Sequence, residues 1–85
     1  MIHIVVSVYD SASNLFGRPI LFPARGAAVR SFQDEVNRKA EDNQMFQHPD
    51  DFSMIEIAKF DDVLGRFEPC EHHVLARGKD LVSAA

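Results

Sequence analysis

The segment IHIVVSVY, residues 2–9, constrains the fold most. Ile2, Ile4, Val6 and Val8 fall on one side of an extended chain, and His3, Val5, Ser7 and Tyr9 fall on the other. That alternation, with its β-branched content, predicts a strand. A strand of this kind has to bury its apolar side against another layer, so the rest of the chain must supply both partner strands and a cover.

The sequence after it supplies them. DSASNLFGR, residues 10–18, is rich in turn formers, and RPILFP, residues 18–23, reads as a short second strand confined to an edge by Pro19 and Pro23. Val29, Phe32, Val36 and Ala40 form an apolar stripe at helical spacing. The stripe predicts a helix that fades near Asp42–Asn43. QHPDDF, residues 47–52, is expected to turn, and FSMIEIAKF, residues 52–60, to form the third strand. In FDDVLGRF two phenylalanines flank a loop ending in Gly65, the pattern of a hairpin whose glycine takes a left-handed conformation. Phe67 then opens a fourth strand running past Pro69. No internal repeat is evident. The order is ββαββ, an α+β two-layer domain: an antiparallel sheet with one helix packed on one face. One domain is expected over residues 1–76, with a flexible tail over 77–85.

At 85 residues, such a domain has a core worth only a few kcal/mol, so a homodimer is expected. The single cysteine, Cys70, excludes an intrachain disulfide and fits a reducing compartment. No stretch is long and apolar enough for a membrane span, and none reads as a targeting signal. The net charge of −4 is unevenly placed. Residues 1–40 hold five of the nine Lys and Arg but three of the thirteen Asp and Glu, so an anionic partner is expected to meet the first half. The acidic total argues against strong nonspecific duplex binding.

Motifs of chemistry are sparse. Asp50–Asp51 and Asp61–Asp62 sit in turns with no nucleophile beside them, and no glycine-rich phosphate loop occurs. No enzyme and no cofactor are expected. Cys70, His72 and His73 in PCEHH would need His3 or His48 to complete a metal set; Cys70 and His72 are expected on one face of the strand and His73 on the other. PARGAAVRSF is more suggestive. Arg25 and Arg30 occupy the start of the helix, where its dipole does not favour cations, and Gly26 would admit close approach of another group. With the free N–H groups of the first turn they would suit a phosphate, and Arg18 could extend the site. The same residues also fit a solvated face, since Arg30, Asp34 and Arg38 are spaced for surface ion pairs. Tyr9 and Phe16 are the rings expected to be exposed for stacking.

VYD, a basic residue followed by GAAVRSF, then HPDDF and IAKFDDVLGRF together resemble the small nonstructural protein of microviruses, in particular the gokushovirus group of single-stranded DNA phages. The likeness covers residues 4–68 and rests on Tyr9, Asp10, Arg25, Gly26, Arg30, Phe32, Pro49, Phe60, Gly65 and Phe67. Leu64 departs from it, standing where a small hydroxyl residue is common in the family. The resemblance implies a non-enzymatic phage protein of the host cytoplasm that binds single-stranded DNA and aids the shift from duplex replication to single-stranded genome synthesis or packaging. The expected contacts are Arg18, Arg25, Gly26 and Arg30, with Tyr9 and Phe16 stacking. The competing expectation is an assembly module contacting capsid or replication proteins.

Overall fold

A computed structural model describes residues 1–83. The elements are β1 (Ile2–Asp10), β2 (Leu15–Phe16), β3 (Ile20–Phe22), α1 (Arg25–Val36), α2 (Gln44–Gln47), β4 (Phe52–Asp61) and β5 (Arg66–Arg77), with single 3-10 turns at Pro49–Asp51 and Gly78–Asp80. The sheet is antiparallel, in the order β2-β1-β4-β5, and β3 also pairs with β1. β2 and β3 are thus two halves of one edge strand, broken at Gly17–Pro19 because proline has no N–H for the ladder. The expected α+β architecture, an antiparallel sheet with one main helix on it, is the architecture observed.

Alternation decides which residues meet the helix. Ile4 and Val6 of β1, Met54 of β4 and Ala28, Phe32 and Val36 of α1 form the buried core, flanked by Val8, Phe22, Phe52, Leu75 and Leu81. Phe32 and Val36 are each 2% exposed and Val6 fully buried. Each such side chain stabilises by roughly 1.5–3 kcal/mol. The helical stripe runs Ala28–Phe32–Val36, one residue off the expected start at Val29, which is only half-buried.

α1 also stops earlier than its pattern suggests. Asn37 ends it, its side-chain amide donating to the carbonyls of Gln33 and Leu81. Asn43, 5% exposed, then donates to the carbonyls of Glu35 and Arg38 and accepts from the N–H groups of Met45 and Phe46. One buried amide therefore satisfies the loose end of α1 and caps α2. Pro49 sits at the start of a 3-10 turn, where its missing N–H costs nothing.

β5 is longer than expected, and the chain beyond it is tied down. Gly78 is buried, Leu81 packs on the core, and the Ser83 N–H donates to Asn37 Oδ1 at 2.7 Å. The tail expected from residue 77 is therefore held as far as Ser83; its last two positions, 84 and 85, lie outside the described residues.

The two hairpins share one plan, which the sequence does not announce. Tyr9-Asp10, four loop residues, then Leu15-Phe16 is matched by Phe60-Asp61, four loop residues, then Arg66-Phe67. In both, the aspartate Oδ1 accepts the N–H two residues on, at 2.9 Å. In both, the last loop residue is left-handed: Asn14 at φ 60° and Gly65 at φ 63°. These are the residue types that tolerate that region. Because β1 and β4 pair antiparallel, the hairpins are related by an approximate twofold axis through the centre of the sheet. Their turns point to opposite ends of a molecule 43 × 25 × 20 Å across.

Candidate nucleic-acid interface

The start of α1 holds an anion of its own. Glu56 lies on the helix side of β4, opposite Val6, and is 3% exposed. Arg25 Nε donates to its Oε1 at 2.8 Å, and Nη2 reaches Oε2 at 3.4 Å. The bond to Arg25 holds the Glu56 carboxyl below its usual pKa despite burial, and raises that of Arg25 in turn. Arg25 thus has a folding role that its place at the helix start does not reveal. The available signal was a carboxylate in the middle of an apolar strand, which demands a cation from elsewhere in the chain.

The other expected contacts are dispersed. Gly26 is exposed, and a Cβ added there would meet nothing within 4 Å, so the glycine serves no close approach within the chain. Arg30 is exposed on α1, and Arg38 pairs with Glu35 at 2.7 Å rather than with Asp34. Arg18 is exposed in the break between β2 and β3. Arg25, Gly26 and Arg30 belong to the helix layer, whereas Tyr9 and Phe16 lie on the opposite face of the sheet. The structure does not gather them into one site.

That opposite face has its own composition. Registers place Phe16, Tyr9, Ser53 and Arg77 in one row across it, Ser7, Ile55 and Val74 in the next, then Leu21, Val5, Ala58 and Pro69, and finally His3, Phe60 and Phe67. Among the described residues no paired position there carries a carboxylate. Asp10, Glu56, Asp61 and Glu68, the acidic residues at paired strand positions, all fall on the helix side. An acidic protein thus turns toward solvent one aromatic sheet face whose paired positions carry no acid; the carboxylate of Asp62 lies beside it, in the loop next to His3.

The face is concave. β2 and β5 are at opposite edges and would be about 14 Å apart in a flat sheet, yet the rings of Phe16 and His72 lie 5.4 Å apart, edge to face. Two irregularities in the β4–β5 ladder, one at Leu75 and one spanning Cys70–His72, allow the curl. The middle is packed shut, with Val5 at 2%, Ser7 at 1% and Ile55 at 8% exposure. The Ser7 hydroxyl donates to the Gly17 carbonyl at 2.7 Å. Solvent meets the borders of these middle rows, at Leu21 and Val74, and the two ends of the face. At one, Tyr9 packs on Phe16 with centroids 4.9 Å apart, and its hydroxyl donates to Asn14 Oδ1. At the other, Phe60 packs on Phe67 at 4.6 Å with His3 alongside.

The same irregularity separates the residues of PCEHH in a way alternation does not foresee. Cys70 Sγ approaches Glu56 on the helix side, at 4.0 Å, while His72 reaches Phe16 on the concave side. Cys70 and His72 do not share a face, because extra residues in the bulge reset the alternation. Among the described residues no group of three or more His, Cys, Asp or Glu is placed to hold a metal ion. Among the same residues no helix is long and apolar enough to cross a membrane.

Residues 3–81 match the model of the family described as Phage ORF5 protein. The chain belongs to this family. It is also similar to Protein ORF5 of Chlamydia phage 1, at 36% identity over 67 residues, covering 76% of this chain and 70% of the relative. The family is the one the microvirus resemblance indicates. The match takes in both hairpins, α1 and the turn that carries Leu81. No solved structure matches.

Proposed function

We propose that this phage protein is a non-enzymatic binder of single-stranded DNA, acting in the host cytoplasm during the shift from duplex replication to single-stranded genomes. The observation that carries the reading is the concave face, with no carboxylate at its paired strand positions and with aromatic rings at its ends. Single strands are held by aromatic stacking next to positive charge, at about 1–3 kcal/mol per stacked base. Phe16, 41% exposed, and Tyr9 offer the ring surface. Arg77, in their row, and Arg18, in the neighbouring strand break, offer the charge. Arg30 and Arg25 are assigned no primary contact, since they belong to the other layer. The carboxylates kept to the helix side repel phosphates from that layer and so orient the strand.

Fluorescence anisotropy of a labelled oligonucleotide at low and moderate salt tests this. Binding should weaken with salt. Phe16→Ala and Arg77→Glu should each weaken it about tenfold or more, and Arg30→Glu much less. A folded protein that binds no oligonucleotide at low salt would overturn the reading. It would favour an assembly module instead, for which Val63 and Leu64, 78% and 66% exposed at the tip of the second hairpin, are the available contact.

A further inference from the structure

The approximate twofold axis gives the concave face two aromatic ends, and only one of them has been assigned a role. Phe67 is 60% exposed and packs against Phe60, just as Phe16 packs against Tyr9. Nothing in the core requires a phenylalanine at position 67: β5 is an edge strand there, and its neighbours Arg66 and Glu68 are exposed as well. His3 completes this end, 6.5 Å from Phe60, and is oriented by a 2.8 Å contact from Nε2 to Asp62 Oδ2. At the first end an imidazole also stands beside the rings, but from another strand: His72 of the β5 bulge meets Phe16. Each end thus presents two tilted, packed rings and an imidazole, while the centre of the face, at Val5, Ser7 and Ile55, is closed.

We propose that Phe67 and Phe60 form a second base-stacking station, so that one single strand is held at both ends of the concave face. The inference rests on the function proposed above. His3 and Tyr9 are six residues apart on β1, which places the stations about 20 Å apart at about 3.3 Å per residue. A strand that engages both has to span that distance. This sets a minimum footprint of about four nucleotides, the low end of the range for small single-strand-binding domains. Asp62 beside His3 disfavours a phosphate at the second station, so the contact there is to a base rather than to the backbone.

The chain itself provides the reporter. Tyr9 is the only tyrosine and there is no tryptophan, so tyrosine emission reports the first station alone. Phe67→Trp adds a spectrally separate probe of the second. Oligothymidylates of about two to about twelve nucleotides would be titrated against the Phe67→Trp protein, and by anisotropy against wild type, Phe16→Ala and Phe67→Ala. Short strands should quench either probe weakly. Once the strand is long enough to bridge the stations, both probes should quench in one titration, and Phe67→Ala should then weaken binding about tenfold while changing the affinity of the shortest strands little. Phe67 is exposed, so its variants should fold, which circular dichroism would verify. If long strands bind and quench Tyr9 but leave the indole emission of Phe67→Trp unchanged, with Phe67→Ala matching wild type at every length, the second station is refuted and the proposed function stands. If no strand binds at all, both fall together.

Discussion

Replacing Glu56 with glutamine isolates the charge that α1 is built around. The side chain keeps its size and its place against Arg25, but its amide has one acceptor oxygen, so one of the two hydrogen bonds is lost and the other loses its ionic character. A bond to a charged group contributes about 1.5–3 kcal/mol and a neutral one about 0.5–1.5. One of these bonds is short, at 2.8 Å, and the other is long, at 3.4 Å, and counts for less. The Arg25 side chain is 55% exposed, so water weakens the attraction further. Glutamine is also cheaper to bury than a carboxylate, which offsets part of the loss. The net expectation is a cost of about 1–2 kcal/mol at neutral pH, or a fall in Tm of roughly 5–15 °C for a domain of this size. The pH dependence carries the sign. The folded pKa of Glu56 lies below its ordinary value of 4.5, so its contribution is fully present above that value and disappears as the pH falls through the folded pKa. Thermal melts of both proteins by circular dichroism, at pH 7 and again at the most acid pH the fold survives, should show the gap closing. A gap of equal size at both values, or none at pH 7, would refute the claim that Arg25 is held by a buried charge.

The remaining expectations concern packing and turns. Phe32→Ala should cost about 3–5 kcal/mol, since the ring is the largest fully buried side chain, and a urea titration should show the midpoint drop at nearly unchanged slope. Gly78→Ala should cost about 1–3 kcal/mol, because its Cβ would sit 2.4 Å from the Pro49 carbonyl oxygen, a backbone atom that cannot swing away; an unchanged Tm would show that the two 3-10 turns are free to separate. Asp61→Ala removes the acceptor of the Val63 and Leu64 N–H groups and should cost about 1 kcal/mol, seen as faster amide exchange at those two positions.

What the sequence makes legible follows the range of each signal. The alternation in residues 2–9, the helical stripe and the glycine of the second hairpin are local patterns, and β1, α1 and Gly65 match them. The pairing of Arg25 with Glu56 spans 31 residues, and no spacing rule reaches that far. The end of α1 depends on Asn43, whose buried amide meets carbonyls from a turn already completed. The shared plan of the hairpins is hidden because only an aromatic, an aspartate and a second aromatic recur, and the left-handed position is asparagine in one and glycine in the other. Alternation failed in β5, where the bulge at Cys70–His72 sends the cysteine and the following imidazole to opposite sides. For the site, the sequence marks the rings of Tyr9 and Phe16, of which Phe16 is exposed and Tyr9 half-buried, but nearness along the chain does not say which layer the arginines join. Only the register shows that α1 and the rings belong to different layers.

The interruptions at the two borders of the sheet have a consequence for how these molecules behave at high concentration. An unbroken outer strand leaves a row of free amide and carbonyl groups that another copy can extend. Here Gly17–Pro19 divides one border, while Pro69 and the adjoining bulge divide the other into short lengths. No unbroken template along either border remains among the described residues, so these interruptions act against extension of the sheet from copy to copy.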